Sequence, residues 1–431
     1  MHDLDKIVSL AKRRGFIFPG SEIYGGLAGT WDYGPLGTAL KKNIKNLWWK
    51  MFVEEWDDVY GLDAAILMNS KAWEASGHVS GFSDPMVECK KCNHRFRVDQ
   101  LDGLNCPDCG GNLGDSRQFN MMFKTHAGAV EDETSVTYLR PETAGGIFVN
   151  FKNIGDTFHP KLPFGIAQIG KAFRNEIAPR DFIFRSREFE QMELEYFVRP
   201  QDWEKYFSFW WDEVLKFIDA VGIQRDAVHE LEVPEADRAH YSKRTIDFEF
   251  DYPFGRKELY GLAYRTDFDL SAHAKHSGED FSYPDPMTGE KIVPHVIEPS
   301  LGVDRTVLAV LLSAYSEDEI GGEKRTFLKL KPIIAPIKVA VFPLVANKDN
   351  ILARAREVYA FLRGKLPSAW DDIGNIGKRY RRQDEIGTPW CVTIDYKTLE
   401  DGTVTVRERD TGAQVRIHEK ELERYFLALL K

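Results

Sequence analysis

The chain has 431 residues, of which 43% are hydrophobic and 13% aromatic, and 57 Lys/Arg against 67 Asp/Glu give a net charge of −10. That length exceeds one ordinary domain, so two or three are expected, and the apolar content excludes a disordered or fibrous chain. The acidic total argues against a nucleic-acid partner until its distribution is considered. Residues 336–431 hold 17 Lys/Arg against 14 Asp/Glu, or +3, leaving −13 for the rest, and phosphate contacts answer to local field.

The opening segment MHDLDKIVSLAKRRG is charged and lacks a long apolar run. Neither a secretory signal nor a spanning helix is therefore expected, and the protein is read as cytoplasmic with no membrane partner. Residues 4–14 read as a short helix, followed by the Gly-rich YGGLAGTWDYGPLG at 24–37. Leu40, Ile44, Leu47, Trp48, Met51 and Phe52 then form one face of a long amphipathic helix, turned either to the core or to a partner. Four of the five cysteines stand in two CxxC pairs, Cys89 with Cys92 and Cys106 with Cys109, separated by thirteen residues. This spacing favours thiolate metal ligation over disulfides. Four thiolates suit tetrahedral, structural Zn²⁺ in an insert at 87–115, the alternatives being reduced thiols alone or His94 in place of one cysteine. Cys391 reads as a buried core thiol.

FGIAQIGKAFRNEI at 164–177 reads as one strand, whose period of two puts Gln168, Gly170, Ala172, Arg174 and Glu176 on a common face. In FEQMELEYF, Phe189, Gln191 and Glu193 share a face. Between the two segments Arg180, Arg185 and Arg187 concentrate positive charge in a turn, as a triphosphate requires. Residues 200–225 are Trp-rich and helical in period, opening a helical insert of about 200–250. ELYGLAYRTDFDL at 258–270 supplies Glu258 and Arg265 on opposite parities, with Gly261 as a candidate bulge. In IEPSLGVDRTVLAVLLSAY, Glu298 and Ser300 share a strand face. Arg305 then falls in the first turn of a buried helix, a natural anion site unless Asp304 caps that helix and pairs with it. TFLKLKPIIAPI at 326–337 marks a boundary. Beyond it, VAVFPL and WCVTIDY read as strands flanking a helix, a small α/β domain. Lys378, Arg379, Tyr380, Arg381 and Arg382 interleave cation and aromatic, which suits single-stranded RNA loops or a merely solvated charge run.

YGPLGTALKKN at 33–43, FRNE at 173–176 with FRSREFEQMELEYF at 184–197, and EPSLGVDR at 298–305 resemble the three motifs of class II aminoacyl-tRNA synthetases. LRPETAGGIFVNF at 139–151 and IGKRYRRQDEIGTPWCVTID at 376–395 narrow the likeness to the homodimeric glycyl-tRNA synthetases, over nearly the whole chain. The resemblance implies an α+β fold: an antiparallel catalytic sheet flanked by helices over 1–330, a small Cys₄ zinc insert, and a C-terminal α/β anticodon-binding domain over 336–431. It implies a homodimeric ligase that activates glycine with ATP and Mg²⁺ and passes it to the 3′ end of tRNA(Gly). Arg174 would hold the α-phosphate, Glu176 read the adenine amino group, and Phe189 stack on the adenine opposite Arg305. Arg185 would reach the outer phosphates. Asn175, Phe184, Ser186, Arg187, Glu188, Leu259, Gly302, Val303 and Asp304 complete the ATP set, and Glu258 with Glu298 would serve Mg²⁺. Glu142, Glu193 and Ser300 would surround the glycine ammonium and Arg265 would face its carboxylate. Arg97, Phe189, Glu190, Gln191, Met192, Glu298, Pro299, Leu301 and Gly302 belong to the same subsite. Arg174, Arg305 and Glu298 carry the catalytic roles, while Lys378, Arg379, Arg381 and Arg382 would touch tRNA. Gly145 departs from the glutamine common in the family. One alternative is a synthetase-derived, non-catalytic nucleic-acid-binding accessory protein, but such a protein loses the motif side chains that stand here at 174, 176, 189 and 305. Another is a synthetase for a different amino acid, against which the Glu142 string argues.

Overall fold

A seven-stranded sheet organises the larger part of the chain in the computed structural model, which describes residues 3–101, 103–285, 289–320 and 322–430. Its strands are β1 Val59–Gly61, β2 Phe164–Phe173, β3 Glu188–Val198, β4 Val228–Glu232, β5 Arg244–Tyr252, β6 Gly255–Thr266 and β7 His295–Gly302. They lie side by side in the order β4-β5-β6-β7-β3-β2-β1, antiparallel except for the β1–β2 pair. The helices around it are α1 Leu4–Arg14, α2 Pro35–Trp49, α3 Ala144–Phe158, α4 Trp203–Ala220, α5 Phe268–Ser277 and α6 Val303–Ala314.

Local chemistry sets several of these boundaries. Asp3 caps α1 through the Asp5 N–H, and Gly15 closes it at φ 73°, a conformation glycine adopts without a Cβ clash. α2 starts at Pro35, whose missing N–H costs nothing in a first turn. The apolar face of α2 turns to the core: Leu40, Ile44 and Trp48 are buried, and Phe52 just beyond them stacks on Trp210 of α4 at 5.6 Å. The sequence places a helical insert at about 200–250, but the helix is confined to Trp203–Ala220. The chain then enters β4 and β5, because RTIDFEFDY alternates with period two and buries Ile246, Phe248 and Phe250. Likewise the segment 164–177 is not one strand. β2 stops at Phe173, where the Asn175 N–H leaves the ladder to bond the Met121 carbonyl.

The two faces of the sheet differ. One is largely apolar, with Met192, Leu194, Tyr196, Leu262, Ile297 and Leu301 packed against α2, α4 and α6. On the other, α3 and α5 cover only the end marked by Ile166, Phe197 and Val296. The remainder of that face is polar and forms the floor of a cavity.

The C-terminal part has its own sheet, β8 Val339–Pro343, β9 Ser368–Trp370, β10 Trp390–Ile394, β11 Thr403–Glu408 and β12 Gln414–His418, in the order β9-β8-β10-β11-β12. α7 Asp349–Arg363 and α8 Ile376–Glu385 complete it, and a separate apolar cluster of Val341, Ile351, Leu362, Val392 and Phe426 forms its core. Cys391 is buried in this sheet, as its surroundings in the sequence suggest. Among the described residues no helix is long and apolar enough to cross a membrane.

Candidate active site

The cavity floor follows from strand parity. On β3, Phe189, Gln191, Glu193 and Glu195 point away from the core that takes Met192 and Leu194, and β7 adds Glu298, Ser300 and Gly302 on the same side. Glu193 lies opposite Ser300 and Gln191 opposite Gly302. β6 reaches the floor through two bulges, at Leu259 against β5 and at Arg265 against β7. The bulge at Leu259 reconciles the opposite parities of Glu258 and Arg265; Gly261 stays in register. The cavity above the floor measures about 440 Å³.

One end of it is cationic. Arg97, Arg174, Arg185 and Arg305 line it, with Glu176 and Glu258 among them. Arg174 donates from Nε to the Pro141 carbonyl at 3.0 Å, and its guanidinium stands 5.3 Å from the ring centres of both Phe82 and Phe189. Arg305 lies 4.6 Å over Phe184 and pairs with Glu258 at 3.1 Å. Asp304 does not pair with Arg305. It accepts from the Glu190 N–H at 2.7 Å and from Lys41 at 3.2 Å. Glu176 Oε2 and Arg185 Nη1 are buried with no partner in the protein, so this end presents an unused acceptor and an unused donor.

The opposite end is acidic. Glu142, Glu193 and Glu298 line it, all buried. Glu193 is braced by Ser300 Oγ at 2.8 Å, by Gln191 Nε2 at 3.3 Å and by a short hydrogen bond from Thr143 Oγ1. Burial acts to raise the Glu142 carboxyl, yet His78, at 3.4 Å, with Arg265 and Arg174 outweighs it and holds the group down at about 2. Glu298 goes the other way. Burial, reinforced by Glu193 and Glu142, pushes it up to about 8 against the pull of Arg265.

Several expected contacts are placed elsewhere. Met192, Leu301 and Val303 are fully buried in the core on the far side of the sheet, and Pro299 is buried on that parity too. Asn175 turns away with its backbone on Met121. Arg187 spends its guanidinium on the Ala28 and Glu176 carbonyls, and Glu188 pairs with Lys171 outside the cavity. Glu190 reaches the rim, but Lys41 at 2.6 Å and Lys45 at 2.9 Å hold its carboxylate. Arg97 lines the cavity while paired to Asp84 at 2.6 Å. Arg265 lies behind the floor, bound to Asp269 at 2.8 Å and Glu298 at 2.7 Å beneath the Tyr241 ring, so it is closed to a substrate carboxylate and braces Glu298 instead. Glu258 and Glu298 are held by different partners, Arg305 at 3.1 Å and Arg265 at 2.7 Å. With the bulge at Leu259 their positions along β6 are four ladder steps apart, since Glu298 faces Ala263, a backbone separation of about 13 Å at the usual strand rise.

The basic run of α8 is largely engaged within the protein, though only Arg379 is buried. Arg379 is 2% exposed and donates to the carbonyls of Pro343, Asp372 and Gly374. Tyr380 bonds Thr393, Arg382 pairs with Asp371 at 2.7 Å and Arg381 with Glu323 at 3.2 Å. Of the four cations expected to meet RNA, Lys378 alone is exposed without such a partner among the described residues.

The four cysteines of the insert converge. Their sulfurs lie within 4.8 Å of one another, with Cys89–Cys109 at 3.5 Å and Cys92–Cys106 at 3.6 Å, and none forms a disulfide. A tetrahedral ion with ~2.3 Å bonds to sulfur needs sulfur–sulfur edges of about 3.8 Å, so the donor set fits zinc. The same insert carries Arg97 to the cavity on its strand Arg95–Arg97.

Comparison with known proteins agrees with this division of the chain. A family model described as the tRNA synthetase class II core domain (G, H, P, S and T) matches residues 123–315, and an anticodon-binding-domain model matches 338–429. The chain is 50% identical to a glycine–tRNA ligase of Caldanaerobacter subterraneus subsp. tengcongensis, over 99% of this chain and 98% of that one. It is 51% identical to the glycine–tRNA ligase of Clostridium acetobutylicum over 99% of both, and 50% identical to that of Bacillus cereus over 98% of both. The chain belongs to the glycine–tRNA ligase family. A class II synthetase core implies ATP and Mg²⁺. The ligase cavity also recruits residues that sequence reasoning passed over. Tyr241 and Arg238 come from an irregular stretch whose destination no periodicity reveals. Asp247 had a signal: it alternates with the buried Ile246 and Phe248, so its carboxylate had to face the other side.

Proposed function

We propose that this chain activates glycine with ATP to glycyl-adenylate and transfers it to the 3′ end of tRNA(Gly). The observation that carries the reading is the division of a single cavity into a guanidinium-lined end and a carboxylate-lined end. The first suits a nucleoside triphosphate, the second an ammonium, and an α-amino acid lying between them presents its carboxylate to the phosphate.

The glycine carboxylate attacks the α-phosphorus and pyrophosphate leaves. The terminal ribose hydroxyl of the tRNA then takes the glycyl group. Neither step needs a nucleophile from the protein, so catalysis comes from alignment and from fixed positive charge. Arg174, oriented by Pro141, aligns the transferring phosphoryl group. Phe184 and Phe189 with Arg305 offer the base its platform, and Glu176 Oε2 accepts from its amino group. Mg²⁺ supplies charge neutralisation to the phosphates. Glu258, with Asp247 beside it on the cavity wall, would hold it. Glycine has no side chain to grip, so selection works by exclusion, and the braced Glu193–Ser300 pair with Glu142 walls off the side-chain direction.

Around this core we infer a catalytic body over 1–330, a structural Zn²⁺ on Cys89, Cys92, Cys106 and Cys109, and an anticodon-binding unit over 336–431. We further infer a homodimer working in the cytoplasm. ATP–pyrophosphate exchange across the amino acids tests the reading: glycine alone should support it. Arg174→Ala should slow exchange by about 10²–10³, as loss of one preorganised donor does. Near-normal exchange in that variant overturns the role.

A further inference from the structure

The largely apolar face of the sheet carries a polar knot where α2 meets the start of β3 and the start of α6. Glu190 has the opposite parity to Phe189, so its carboxylate points to that face, and Asp304 in the first turn of α6 meets it there. Lys41 lies between them. Its Nζ stands 2.6 Å from Glu190 and 3.2 Å from Asp304, over the Tyr33 ring at 4.1 Å, and its side chain is only 12% exposed. Lys45, one turn further along α2, reaches Glu190 at 2.9 Å and has no bond to Asp304 among the described residues.

Each carboxylate adjoins a group of the cationic end. Glu190 follows Phe189, and Asp304 precedes Arg305. β3 pairs with β7 as far as Gln191 opposite Gly302, after which the chain leaves the sheet as α6. Asp304 takes over from the lost ladder. One of its oxygens accepts from the Glu190 N–H at 2.7 Å, while the other accepts from Lys41 and from the Tyr33 hydroxyl. This tie brings two largely buried carboxylates together, and they repel unless a cation stands between them. Removing that cation leaves charge uncompensated where water is scarce. The first turn of α6 would then move off β3, and Arg305 would lose its placement against Phe189. The acidic end is insulated from this, because Glu193 opposite Ser300 lies within the paired ladder.

We propose that Lys41 is a positioning residue for ATP: by bridging Glu190 and Asp304 it fixes the spacing of Phe189 and Arg305 around the base. It touches no substrate and acts through the two carboxylates. The proposal rests on reading the cationic end as the nucleotide subsite.

ATP–pyrophosphate exchange with the full chain separates the two substrates. Lys41→Met keeps the stem and removes the charge. It should raise the KM for ATP about tenfold, the scale of coupling between touching residues, while the KM for glycine stays within about twofold. Lys41→Arg, whose guanidinium can still face both acids, should recover most of the ATP affinity, and Lys45→Met should move it far less than Lys41→Met. An unchanged KM for ATP in Lys41→Met overturns the proposal. Both KM values rising together overturn it too, since a general loosening of the fold moves both. If Lys41→Met does not fold, Lys41→Gln takes its place under the same outcomes, and failure of both to fold makes Lys41 a stability element and overturns its positioning role. Arg305→Ala distinguishes the proposal from the reading beneath it. Weaker ATP binding in that variant with Lys41→Met unaltered removes the proposal alone, whereas ATP binding unaltered by Arg305→Ala removes the nucleotide reading and the proposal with it.

Discussion

A Cβ at position 145 would stand 2.7 and 2.9 Å from two ring carbons of Trp73, an indole buried at 0% exposure. This explains why Gly145 stands where the resemblance expects glutamine: Trp73 occupies the volume, and a fully buried ring has nowhere to swing. Gly145→Gln should therefore destabilise the protein by about 1–3 kcal/mol through overpacking. Trp73→Ala in the same chain should recover part of that loss, and additive effects in a denaturant double-mutant cycle would defeat the explanation. A second residue-scale effect concerns pH. Glu298 has its native value raised from 4.5 to about 8, so the folded state binds more protons than the unfolded one across that window. Its contribution to stability is full below about 4.5 and disappears as pH rises through about 8. Glu142 runs in reverse, lowered to about 2, with its contribution present above 4.5 and lost as pH falls through about 2. Melting temperature should accordingly decline from pH ~5 to ~8 in wild type and decline less in Glu298→Gln. A slope unchanged by that substitution would show that the decline has another source.

At the scale of elements, the insert is the clearest case of function carried by local order. Its strand Ser83–Glu88 pairs with Arg95–Arg97, and Cys89 follows immediately, so the four-cysteine cluster and the cavity residue Arg97 share one small framework. Metal analysis should find about one zinc per chain, absent in Cys92→Ser. Chelation should raise the KM for ATP well before it lowers the global melting temperature. Fully reduced protein that binds no zinc would dismiss the site. The insert also marks what a sequence can reveal. Two CxxC pairs declare their chemistry through spacing alone, and period two in FEQMELEYF already separates Glu193 from Met192. α8 shows the opposite case. Whether Arg379 meets RNA or the interior depends on carbonyls at 343, 372 and 374, which its own neighbours do not announce. The two bulges of β6 were equally hidden. Parity required an irregularity between Glu258 and Arg265, but its location depends on where β5 and β7 interrupt their ladders.

The whole molecule is joined by a small ionic knot. Asp384 of α8 is 0% exposed and accepts from Arg325 at 3.0 Å and from Arg407 at 2.8 and 3.0 Å. Arg325 belongs to the strand Glu323–Leu328 of the larger part, Arg407 to β11, and Arg409 adds a bond to the Leu330 carbonyl at 3.0 Å. Asp384 thus bridges guanidinium groups from the two halves of the chain, with Arg325 also paired to Asp318 at 2.6 Å. Excising 336–431 would strip Arg325 of Asp384 and confuse lost tRNA contact with lost stability, so a point change is the cleaner probe. Asp384→Asn preserves shape and removes the charge, leaving the buried Arg407 without its carboxylate while Arg325 keeps Asp318, at a cost of about 3–5 kcal/mol. Because the two apolar cores are separate, that cost should fall on their junction. Calorimetry should show one melting transition split into two, with glycyl-adenylate formation retained and tRNA charging reduced. A single transition at the wild-type temperature would mean that packing alone joins the halves. Equal loss of both activities would mean instead that the C-terminal unit supports the active site directly.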